Sequence, residues 1–181
     1  MTSSSPDPGA MDLEAIRQAI DSGDTRQRMR AITAMQPHEP ADCVPLLVRC
    51  LDDDAFVVRS LACMGLGYKR SAEGLAALMA VLDSEGDHNV RAEAANAVAR
   101  HGSEQAAEPL LALYARDEHW LVHTSILAAL AAEEDVPEAV LHRLLELAAD
   151  DANATVKDAA ATVRLRLQQL QLEKLLPQEP C

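Results

Sequence analysis

Asp87-His88-Asn89-Val90-Arg91-Ala92-Glu93-Ala94-Ala95-Asn96-Ala97-Val98 has a counterpart 32 residues before it and another 32 residues after it. Phe56, His88 and Trp120 keep that step, as do Val58, Val90 and Val122. Arg59, Arg91 and His123 follow, then Gly65, Ala97 and Ala129, then Leu66, Val98 and Leu130. Upstream, Leu46, Leu78 and Leu110 are in register, each followed by a second apolar residue, Leu47, Met79 or Leu111. Within each copy the apolar positions fall at helical spacing. A fixed step of this size is the mark of units that cannot bury their apolar faces alone and stack to do so.

The composition agrees with stacked helices. Aromatic residues are 2% of the 181-residue chain, while Ala and Leu dominate. Both are strong helix formers, and small side chains let helices approach. The net charge is −13, from 16 basic and 29 acidic residues. That balance argues against nucleic acid and anionic lipid, which need a basic face, and favours a basic or amphipathic protein partner. Cys43, Cys50, Cys63 and Cys181 form no C-x-x-C pair, and the first three read as small apolar residues on helices. With no signal peptide and no apolar run long enough to span a bilayer, a reducing cytoplasm is the default compartment.

Read in order, the chain begins with a Ser/Pro/Gly-rich tail, 1–10, expected to be disordered. A single repeat domain follows over 11–176, then a short tail, 177–181. The domain divides into five helical hairpins. The predicted first helices are 11–22, 41–51, 72–82, 104–115 and 137–149. The second helices begin at Asp24, then cover 57–68, 89–101, 121–132 and 155–176. Pro45 and Pro109 are expected near first-helix starts, where a missing N–H costs little. Gly67 and Gly102 are expected at or near helix ends. Acidic turns, Asp52-Asp53-Asp54, Glu85-Gly86-Asp87 and Asp117-Glu118, precede second helices, where carboxylates accept from free amides and suit the positive helix end. The step lengthens to 34 at Val156-Lys157, the extra residues falling in the 133–138 connection. The expected fold class is all-α, a right-handed α-α superhelix.

The unit of acidic turn, x-x-V-R-x-x-A-x-x-A-(L/V), complete at 87–98 and echoed at 54–66, resembles the short HEAT-like repeat of the phycobilisome lyase group. The stretch Asp117-Glu118-His119-Trp120-Leu121-Val122-His123 through Leu127 is similar to its cyanobacterial members. The resemblance implies an Asp–Arg ladder along the stack, carried here by Arg28, Arg59, Arg91, His123 and Lys157, with His123 as a weaker rung. It further implies a scaffold, adaptor or chaperone-like accessory that handles a phycobiliprotein or another antenna component, without a cofactor of its own. The alternative it implies is a bilin lyase or lyase subunit, with Arg30 and Arg91 as the positions able to meet bilin propionates.

Candidate contact residues follow from placement. Phe56, His88 and Trp120 precede successive second helices and would line one edge of the stack. They either meet a partner, as exposed Trp tends to, or cover the core beneath them. The second helices should line the concave side. Positions outside their apolar stripe are Met29, Arg30 and Thr33; Ser60, Leu61 and Met64; Ala92, Glu93 and Asn96; Thr124, Ser125 and Ala128; Asp158 and Thr162. Leu61 and Met64 are apolar where water is expected, so they either contact a partner or tuck under a neighbouring unit. Glu93, Asn96 and Ser125 complete the candidate set. His119 and His123 are four apart, but no third metal ligand shares their face. No spaced carboxylate pair, nucleophile elbow or phosphate loop points to catalysis.

Overall fold

In the computed structural model, which describes residues 11–175, ten helices and no strand occur among the described residues. They form five hairpins: α1 Leu13–Ser22 with α2 Thr25–Ala34, α3 Pro40–Cys50 with α4 Phe56–Lys69, α5 Ala72–Ser84 with α6 His88–Ala99, α7 Ser103–Arg116 with α8 Trp120–Ala132, and α9 Glu138–Leu147 with α10 Ala154–Leu175. The expected terminal tails lie outside the described residues.

Successive hairpins stack in register. The first helices form one layer and the second helices another, and the second helices approach one another more closely than the first helices do. That difference makes the second-helix layer the inner side of the stack. One continuous apolar core runs from Ile16 to Leu167. Its spine is the predicted one: Val58, Val90, Val122 and Val156, and the row Leu66, Val98 and Leu130, are fully buried. Cys43, Cys50 and Cys63 are buried free thiols within it. Burial pushes Cys63 up to about 12 and Cys50 up to about 11.

Several local expectations are corrected. Pro45 and Pro109 lie inside α3 and α7. Each deletes an i to i−4 hydrogen bond and crowds the carbonyl one turn back, a cost that stacking on neighbouring units must offset. The residue at the start of α3 is Pro40. Gly67 lies near the end of α4, as expected, but does not cap it; the helix runs to Lys69 and stops at Arg70, which takes the left-handed conformation with φ 40°. Gly67 instead faces α6. A Cβ there would stand 2.8 Å from the Cα of Ala97, so only glycine permits this approach. Gly102, at the boundary of α7, holds φ at 104°, a region open mainly to glycine. Ala92, expected to face outward, is 4% exposed, because the close α6 neighbours cover it.

Candidate functional site

Two surfaces stand out, the edge formed by the turns and the inner face. The edge is built from a repeated ion-pair device. Arg28, Arg59, Arg91 and His123 sit in the first turn of α2, α4, α6 and α8. Each reaches back to carbonyl oxygens of its own turn and forward to a carboxylate in the next. Arg28 donates to the Gly23 oxygen at 2.7 Å and to Asp53 at 3.1 Å, with its Nε 2.6 Å from the same carboxylate. Arg59 binds the Asp53 oxygen at 2.8 Å and pairs with Glu85 at 2.7 Å. Arg91 binds the Gly86 oxygen at 2.8 Å and pairs with Asp117 at 2.6 Å.

The receiving carboxylates also fold the turns. Asp53, Glu85, Asp117 and Asp151 each accept the backbone N–H two residues on, from Ala55, Asp87, His119 and Asn153. Burial alone would push Glu85 and Asp117 up, but hydrogen bonds from arginine and from these amides hold both below the usual carboxylate range. The Asn153 amide, ahead of His123, does the same for Asp151.

The ladder is not interrupted at His123. Its Nε2 is 2.7 Å from the Asp117 oxygen and its Nδ1 is 3.1 Å from Asp151. The imidazole spans the same two kinds of oxygen that a guanidinium spans elsewhere. Buried Tyr114 stacks on the ring at 4.0 Å and holds its plane. Lys157 occupies the next rung in sequence but is exposed, because no sixth turn stands in front of it among the described residues.

Beside the ladder lies the aromatic row. Phe56 and Trp120 are 44% and 43% exposed. His88 does not meet Trp120 directly. His119 inserts between them, stacked on His88 at 3.7 Å and on Trp120 at 5.8 Å between centroids. Burial, then the charge of His88, holds His119 below the usual imidazole value. His119 also accepts the Leu121 amide at 3.2 Å. His119 and His123 thus serve different partners and do not converge on a common ligand position. Sequence spacing weighed His119 only as a metal partner of His123 and missed its place in the row, because it falls one residue off the row's register. Only the stagger of the turns brings it over His88.

On the inner face, a groove of about 500 Å³ lies between α2 and α4. Ile32, Met35 and Leu47 form its buried floor. Leu61 and Met64 are half-buried on its wall, and Thr33, Gln36, Tyr68 and Lys69 line the remainder. Tyr68, 65% exposed, was not among the expected contact residues. It extends the Leu61–Met64 face by one more turn, and the Arg100 guanidinium rests 4.6 Å from its ring centroid. Farther along the stack, Glu93, Asn96 and Ser125 are half-buried on the same face. Burial pushes the Glu93 carboxyl up.

No helix among the described residues is long and apolar enough to cross a membrane. No group of three or more potential metal ligands gathers among them. Comparison with curated proteins finds no match. The model for HEAT repeats matches twice, over residues 44–131 and 75–163. These overlapping segments take in α4 through α9 complete and cover well over half the chain. With the stacked hairpins and the ladder of turn carboxylates, they make this chain a member of the HEAT-repeat family.

Proposed function

We propose that this chain is a protein-binding scaffold whose inner face is its main contact surface. The observation that carries the reading is the apolar groove between α2 and α4, where Leu61, Met64 and Tyr68 reach solvent on one continuous face. A stacked helical ribbon with apolar side chains open on its inner side suits a partner segment better than a reaction. The exposed rings of Phe56 and Trp120 on the turn edge give a second, smaller contact.

A phycobiliprotein or another antenna component as the partner is supported by the repeat motif's resemblance alone. Bilin attachment has less behind it. Of the two cations available for propionates, Arg91 is committed to Asp117 and to the Glu85 and Gly86 oxygens, which leaves Arg30.

The test is affinity capture with the full chain and with Met64→Glu and Trp120→Ala. The scaffold reading expects Met64→Glu to lose the specifically captured protein. An identical captured set with both variants refutes it. Co-expression with a bilin and an apo-phycobiliprotein provides the opposing test. Covalent bilin transfer that requires this chain would replace the scaffold reading with the lyase one.

A further inference from the structure

The net charge of −13 hides a strong segregation. Across α2, α4, α6 and α8, Glu93 is the single acidic residue. The acidic excess lies in the first helices and, above all, the turns; the last second helix, α10, carries Asp158 and Glu173 against Lys157, Arg164, Arg166 and Lys174. Three inner-helix arginines, Arg28, Arg59 and Arg91, are committed to the ladder. Others surround the groove. Arg30 is exposed on α2, one turn before Thr33. Lys69 lines the groove and donates to the Gln36 and His38 oxygens. Arg100 lies over Tyr68 at its lip. Exposed Arg70 is the next residue after Lys69 and makes no ion pair among the described residues.

Cations near helix C-termini complement the backbone dipole, and that alone could place Lys69, Arg70 and Arg100. It does not explain the missing acids along the face. Nor is the dipole rule enforced in this chain, since Glu133 follows the last turn of α8.

We propose that the groove docks an acidic amphipathic helix of a partner protein, its apolar stripe on Leu61, Met64 and Tyr68 and its carboxylates toward Arg30 and Arg100. This rests on the scaffold reading and names the partner's chemistry. Leu61 to Tyr68 spans two helical turns, about 10 Å at 1.5 Å per residue, which matches a stripe of i, i+3/i+4, i+7 anchors. The bulk charge favours a basic partner; the local charge reverses that preference.

The test uses a displayed library of 16-residue amphipathic helices with a fixed Leu/Met stripe and Glu or Lys at each polar position, selected against the full chain. The expected result is Glu-enriched binders whose affinity falls with added salt, is abolished by Met64→Glu, and drops about tenfold with the charge reversal Arg100→Glu at low salt. Circular dichroism of both variants, which alter half-buried positions, checks that the fold is kept. Lys-enriched or charge-indifferent binders would overturn the inference. Binders lost with Trp120→Ala but not with Met64→Glu would overturn it and would also move the scaffold's main contact from the inner face to the turn edge. A concentration-dependent dimer broken by Met64→Glu would put a second copy in the groove and also overturn it. No enriched binder at all would count against both readings.

Discussion

Gly67→Ala should destabilise the chain although it replaces glycine with the best helix former in the last turn of α4. Propensity alone predicts a gain of about 1 kcal/mol. Packing predicts the opposite. The added methyl would stand 2.8 Å from the Ala97 Cα and 2.9 Å from its Cβ. Ordinary carbon contacts need about 3.5–4.0 Å. Neither obstacle is the tip of a flexible side chain, so α4 and α6 must separate by the better part of an ångström. Overpacking of this kind costs about 1–3 kcal/mol and sometimes more. This helix pair also shares the most extensive packing in the stack, so a shift there disturbs both neighbouring hairpins. The net expectation is a loss of up to about 2 kcal/mol, or up to roughly 8 °C in Tm for a chain of this size. Urea unfolding followed by circular dichroism measures it. Ala128→Gly, at an exposed position of α8, calibrates propensity by itself and should cost about 0.5–1 kcal/mol. If Gly67→Ala were more stable than the parent by about what Ala128→Gly loses, the close-approach account of Gly67 would be wrong.

Four further outcomes are expected. Leu110→Ala, at a fully buried position, should cost about 2–5 kcal/mol in urea unfolding. Arg91→Gln removes the partner of Asp117, whose side chain is 4% exposed, and should cost at least about 1.5–3 kcal/mol, the worth of a hydrogen bond to a charged group. Glu85, Asp117 and Asp151 have folded values below their unfolded ones. Their contribution is therefore complete above the unfolded carboxylate range and lost as pH falls through the folded values. Urea midpoints should drop on the acid side, less steeply in Arg91→Gln. Cys43, Cys50 and Cys63 are buried and their thiols are pushed up by burial; a thiol reagent at pH 8 should modify them only as fast as the chain opens.

The architecture was legible because it repeats. Every apolar position was seen three or more times, so noise at one copy was corrected by the others, and Val58, Val90, Val122 and Val156 are all fully buried. What was not legible depends on neighbours distant in sequence. Gly67 looks the same whether it ends a helix or admits Ala97, 30 residues away. Pro45 and Pro109 argued for helix starts on local grounds, yet stacking carries α3 and α7 through them. His123 read as a weakened rung, since its reach to both Asp117 and Asp151 exists only once two turns are aligned. Within the candidate site, Leu61 and Met64 were found by exclusion from the apolar stripe and do line the groove. Tyr68 was missed because, at the end of α4, it reads as a helix terminus.

The distribution of charge gives the inner face a meaning that packing does not require. Ladder arginines and turn carboxylates neutralise one another along the edge, so that edge is built for register. The first helices and turns carry the acids, which keep an apolar ribbon from associating through its outer side. Nothing in the core forbids acids at exposed inner positions such as Arg30, Thr33, Tyr68 or Ala128, since each borders water. A surface shaped by solubility alone would share the acidic excess found elsewhere. That one face departs from it, and departs where the groove opens, ties charge and shape to a common cause. That cause is a partner whose own carboxylates would be repelled by the acidic turns and the first helices.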